Sequence, residues 1–179
     1  MPEFATIGQR FRQRMRTLDG QHFFGAISPA PESQGRGSQF FTPRRILKLH
    51  PNVTSVTGGT VILDASGRKM LCGWNGEMEF QGVYAQTFKL YDLDRYVSWR
   101  RAETVEDPAT GLERQSQEAE LGPVWCAMEP IGSETDMLKV ASNKYRVLTN
   151  ADLHVGDRFH TATVRIVNQS LGITIAEVW

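Results

Sequence analysis

Cysteine is scarce in this chain: two residues in 179, Cys72 and Cys126, far apart and in no CxxC pair. That excludes a disulfide framework and a thiolate metal knuckle, and both are expected to be buried thiols. Long apolar runs are also missing. No stretch approaches the about 18 residues that span a bilayer, and the opening "MPEFATIGQRFRQRMR" lacks the apolar segment of a secretory signal. Synthesis in the cytoplasm and no membrane partner are the expectations. Net charge is absent too, with 20 Lys/Arg against 20 Asp/Glu. Neither wholesale disorder nor an overall affinity for nucleic acid follows from that balance.

Several catalytic signatures are wanting as well. There is no GxSxG elbow, and the Gly-rich "SQGRGSQ" has no following Lys-Ser/Thr to cradle phosphate. The carboxylates of "RAETVEDP" are assigned to a solvated loop, not to an acid–base pair. The densest polar cluster is "LHVGDRFH", residues 153–160, preceded by Asp152. A metal would need donors converging within about 2.0–2.3 Å of one point. A strand starting near Asp157 puts His160 on the face of Ala162 and Val164, with no third donor of matching parity. Gly156 and Asp157 therefore read as a turn before a strand, His160 as a core-edge imidazole and His154 as a loop residue. No catalytic residue, metal ligand or cofactor is assigned, and an enzyme is not expected.

What is present is unevenly placed. Residues 1–50 hold eight Lys/Arg and three Asp/Glu, while the rest hold twelve and seventeen. Such polarity suits contact with negative charge at one end, on nucleic acid or on a neighbouring copy; the alternative is two solvated faces.

Ile7, Phe11, Met15 and Leu18 recur at spacings of four, four and three, which predicts an N-terminal helix with Thr6 and Gln9 as a capping box. Arg10, Arg12, Arg14 and Arg16 fall outside that apolar stripe. Residues 25–43, "GAISPAPESQGRGSQFFTP", have the composition of a linker or extended arm, which a partner would hold in place. From Arg45 the texture is β. A Ser-Gly hairpin is predicted over 60–71, strands over 83–91, 123–129 and 144–149, an exposed loop over 107–113, a short helix over 133–141 and a terminal hairpin through a five-residue loop at Gly172. The predicted fold is mainly β: a small antiparallel barrel or sandwich over 45–179, preceded by a basic helix and arm over 1–44.

The order "LGPVWCAMEP", "SETDMLKVASNKYRVLT", "LHVGDRF" and a closing hairpin resembles the head-tail joining proteins of tailed bacteriophages, in particular the head-closure or stopper class. Trp125, Ala127, Glu129 and Pro130 carry the first part, Tyr145, Val147 and Thr149 the second, Gly156 and Asp157 the third. The similarity covers residues 83–179; the basic front departs from it, which leaves a portal adaptor or tail-completion protein as alternatives. The resemblance implies a small β-barrel virion protein without enzymatic activity, assembled as a ring of copies in the neck. Its neighbours would be a portal or adaptor above, a tail terminator or tube below, and genomic DNA in the channel, held after packaging and released at ejection.

Within such a ring, Phe11, Met15, Phe40, Phe41, Ile173, Ile175 and Trp179 are the expected contacts between chains. The strand "GITIAEVW" would be an exposed edge that pairs with another chain. Arg10, Arg12, Arg14, Arg16, Arg36, Arg44 and Arg45 form the expected basic face. Acidic protein surfaces are its expected target in a connector; a nucleic-acid-binding module using the same residues is the competing function.

Overall fold

The computed structural model describes residues 12–30, 41–80, 83–106, 109–111, 113–131 and 144–179. Twelve strands and no helix occur among them. They divide into two compact units, residues 1–93 with 170–173, and residues 94–169 with 174–179.

The first unit is a closed antiparallel barrel of β1 (Arg12–Thr17), β2 (His22–Pro29), β3 (Arg45–Leu49), β4 (Val61–Leu63), β5 (Lys69–Phe80) and β6 (Val83–Asp92), in the order β1-β2-β3-β6-β5-β4. Alternation explains β1: Met15 and Thr17 are buried while Arg12, Arg14 and Arg16 are exposed, the period of two that a pleated strand imposes. Met15 joins Phe23, Leu47, Leu49, Ile62, Met70, Cys72, Phe88 and Leu90 in the barrel interior. The predicted helix is therefore corrected over 12–17, where the backbone is extended; its earlier residues lie outside the described ones. Arginine at every second position was the stronger periodicity, and Leu18, the last point of the supposed stripe, is exposed.

The predicted arm is corrected over 25–29; its residues 31–40 lie outside the described ones. Residues 25–29 lie in β2, paired with β3 from Ala26↔Lys48 to Pro29↔Arg45. Gly25 faces inward, where a Cβ would come within 2.6 Å of Leu49, 2.8 Å of Leu47 and 2.9 Å of Met15. The tips of three core side chains occupy the space beside it, so glycine there fits the packing of a barrel strand and is not a mark of a linker. The division at residue 44 gives way to one between Leu93 and Asp94. The Ser-Gly hairpin forms as predicted: Asp64 accepts from the amides of Ser66 and Arg68 and from the Ser66 hydroxyl, closing the turn between β4 and β5.

The second unit is also a closed antiparallel barrel, of β7 (Arg95–Glu106), β8 (Glu113–Pro130), β9 (Tyr145–Thr149), β10 (Arg158–Phe159), β11 (Ala162–Ser170) and β12 (Ile173–Val178), in the order β10-β11-β12-β9-β8-β7. Its interior gathers Trp99, Cys126, Val147, Leu153, Phe159, Val164, Ala176 and Val178. The strand predicted over 123–129 forms within β8, with Val124 and Met128 packed beside Cys126.

The terminal hairpin forms, but its loop is two residues, Leu171 (φ 50) and Gly172 (φ 80), both left-handed as the tightest hairpin turn requires. Its last strand is no open edge: β12 pairs with β9 from Thr174↔Thr149 to Val178↔Tyr145 and neighbours β11 on its other side. "RAETVEDP" is likewise not all loop, because β7 runs to Glu106. The helix predicted over 133–141 lies outside the described residues.

Candidate functional site

The cluster at 152–160 is a turn, as its Gly-Asp pair suggests, and its aspartate does more than reverse the chain. Gly156 has φ +97, and Asp157 receives the His154 amide at 2.8 Å. The Asp157 carboxylate, only 3% exposed, is met by Arg101 of β7 through two parallel bonds: Nε to Oδ1 and Nη2 to Oδ2, both 3.0 Å. The same Nη2 donates to the carbonyl of Asp152, and the guanidinium lies 5.2 Å over the Trp99 ring. The bond to Asp157, and the carboxylate charges of Asp157 and Asp152, raise the Arg101 pKa although partial burial lowers it. A buried carboxylate with two charge-assisted donors and one amide is satisfied, so this is a clasp between β7 and the 152–157 loop.

The two histidines have separate places. His154 sits 3.3 Å from the Asp152 carboxylate, itself bound by Gln169 Nε2 at 2.9 Å. His160 occupies the tight turn between β10 and β11 with φ 56 and is exposed, which corrects its core-edge assignment. The parity argument fails because the left-handed turn separates two strands. Phe159, at 1% exposure, takes the core position instead. Among the described residues no three His, Cys, Asp or Glu side chains gather as a metal would need.

The remaining predicted residues scatter. Met15 and Phe41 are buried within the first unit and cannot meet another chain. Ile173 and Ile175 are half-buried, and Trp179 is exposed at 39% with Lys144 Nζ 5.2 Å over its ring. Arg45 is ion-paired with Asp92, while Arg12, Arg14, Arg16 and Arg44 are exposed. Arg10, Phe11, Arg36 and Phe40 lie outside the described residues.

Two further features mark the surface. The first is an open groove of about 590 Å³ in the first unit, lined by Arg12, His22, Phe23, Phe24, His50 and the polar loop Asn52 to Ser55. It borders the outer face of β1 and β2, where Arg14 stands opposite Phe24 and Arg16 opposite His22. The Arg-x-Arg-x-Arg spacing of 12–16, read at period two, would have placed these guanidiniums on one sheet face.

The second is the length of two hairpins. β7 and β8 pair from Arg95↔Cys126 to Glu106↔Glu113, whereas β9 covers β8 only from Cys126 to Pro130 and β10 covers β7 only at Trp99 and Arg100. Beyond these, among the described residues, the hairpin continues as a two-stranded ribbon. The ladder slips where it departs, between Trp99 and Arg100, beside Gly122 at φ +94. β5 and β6 repeat the design: the slip lies between Trp74 and Gly76, and pairing continues to Phe80↔Val83. Thr87 fixes that bulge by donating to the Gly76 carbonyl at 2.8 Å and accepting from Asn75 at 3.2 Å. A bulge increases local twist and re-aims the strand, which is how a ribbon leaves a barrel.

No family model matches this chain, and neither a curated protein nor a solved structure is found to be similar to it.

Proposed function

We propose that the chain is a structural connector of the tailed-phage neck, without catalytic turnover. In this reading it assembles as a ring that joins the portal side of the head to the tail, closes the DNA channel after packaging and opens it for ejection. The observation that carries this reading is the β7–β8 ribbon. A two-stranded ribbon is marginally stable by itself in water, because each strand has backbone donors and acceptors paired on one side only. The closed barrels offer no such edges, since closure pairs every strand on both sides. Association with copies therefore runs through the projecting ribbons, whose main-chain groups can add to a neighbour's sheet.

Where the β7 edge of one ribbon meets the β8 edge of the next copy's, the contact is head-to-tail, and such contacts close into a ring when the rotation per subunit permits. The order of Trp125, Ala127, Glu129 and Pro130 on β8, then Tyr145, Val147 and Thr149 on β9, then the Gly156–Asp157 turn supports placing that ring among head-tail joining proteins.

Electron microscopy of tailed particles made with a tagged chain, the tag labelled with gold, tests the location. Label at the head-tail junction is expected. Label along the capsid or at the distal tail, or particles without label, would contradict the neck assignment.

A further inference from the structure

We infer that the outer face of β1 and β2, with the groove beside it, binds single-stranded nucleic acid: Phe24 as the stacking platform and Arg12, Arg14 and Arg16 on the phosphates. The three strands β1, β2 and β3 contain no aspartate or glutamate, while they carry those arginines, His22 and Lys48. Residues opposite one another in an antiparallel pair point to the same side, so Arg14 shares its face with Phe24 and Arg16 with His22. Alternate residues of a strand stand about 6.8 Å apart, which spreads the three guanidiniums in a row instead of a point cluster. A row of cations suits an extended polyanion. The nearest carboxylate along the chain, Asp19, lies in the following turn and receives the Thr17 hydroxyl.

Phe24 decides which polyanion. It is 58% exposed in the middle of this charged face and lines the groove with Arg12, His22 and His50. A bare aromatic ring among cations has no use against the phosphate rim of a duplex or an acidic protein surface, but it is what an unpaired base stacks upon. The groove supplies what a base edge needs. His50 accepts the Asn52 amide on Nδ1 at 3.2 Å, so its neutral form carries the proton on Nε2 and offers it as a donor. Asn52, Thr54 and Ser55 add further polar groups to the wall. This inference does not rest on the neck assignment, which is tested by location in particles and not by binding.

The test is fluorescence anisotropy of a labelled oligothymidylate with the full chain, beside a duplex of equal length and with polyglutamate as competitor. The oligothymidylate is expected to bind more tightly than the duplex and to weaken steeply between about 50 and 200 mM salt. Arg14→Gln should flatten the slope of log affinity against log salt by about 0.7, the share of one phosphate on a single strand. Phe24→Ala should weaken binding about five-fold or more, and Phe24→Tyr, which keeps a ring, should restore it; unfolding midpoints of all three variants check that the barrel is intact. No binding at low salt, equal binding of the duplex with Phe24→Ala silent, or displacement by polyglutamate at equal charge would each overturn the inference.

Discussion

Arg101 and Asp157, 56 residues apart, meet through two parallel bonds of 3.0 Å each, with the carboxylate almost wholly withdrawn from water. The arginine is the half-exposed partner, so its removal leaves a buried anion while removal of the aspartate leaves a cation that water can reach. Arg101→Met is therefore expected to cost about 3–5 kcal/mol in urea unfolding. Arg101→Lys should recover only part of this, because an ammonium cannot make the paired bonds. The double change Arg101→Met with Asp157→Leu should be less destabilising than Arg101→Met alone. A loss below about 1 kcal/mol for Arg101→Met would mean that Asp157 is not dependent on its partner.

Gly25 faces the tips of three core side chains, Leu47, Leu49 and Met15, all of which would have to shift together to admit a methyl group, although its backbone is ordinary strand. Gly25→Ala is expected to destabilise by about 1–3 kcal/mol, the usual cost of overpacking. Thermal unfolding checks it; an unchanged midpoint would mean that the Leu47, Leu49 and Met15 side chains yield to the added methyl group without cost.

Both cysteine thiols are pushed up to about 12, Cys72 by burial and Cys126 by burial with the Asp94 charge adding to it and Arg95 opposing. A raised pKa means that the folded state is favoured fully below the ordinary thiol value of 9.0 and loses that advantage as pH rises toward 12. At pH 8 the native chain should hold almost no thiolate, and a disulfide reagent should modify neither cysteine until denaturant is added. Rapid modification of either one in the native state would contradict its burial.

Asp152 behaves in the opposite sense. The Gln169 amide, opposed by desolvation, holds its carboxyl below the usual carboxylate value of 3.8, and the charges of His154 and Arg101 add to the lowering. The folded state is thus favoured above the ordinary carboxylate range, and the advantage is lost as pH falls through the lowered value. Carboxyl carbon NMR should show the Asp152 midpoint rising in Gln169→Ala. No change would remove Gln169 as its main partner.

Much of this architecture was legible because turns announce themselves chemically. Asp64 with Gly67, Gly156 with Asp157, and Leu171 with Gly172 each stand where the chain reverses. Strands β6, β8 and β9 followed from alternation and β-branched or aromatic content. The errors came where one residue type carries two meanings. Four apolar residues at helical spacing concealed a period of two in the arginines, and only pairing with β2 and β4 decides between them. Gly25 read as a linker because a sequence does not show the Leu47, Leu49 and Met15 side chains that fill its space. Parity points His160 toward the core only if the strand continues through it, and its left-handed turn interrupts the strand there. The clasp of Arg101 on Asp157 has no local signature, since 56 residues separate its members. The groove of His22, Phe24 and His50 likewise depends on three segments brought together by the barrel.

Native mass spectrometry of the full chain tests most directly the proposed joining of copies through the β7–β8 ribbon. A closed multimer is expected, together with its loss to monomer when residues 102–118 are replaced by a two-residue turn that leaves the barrel strands intact. A chain that stays monomeric at every concentration, or a multimer indifferent to the shortened ribbon, would contradict the account.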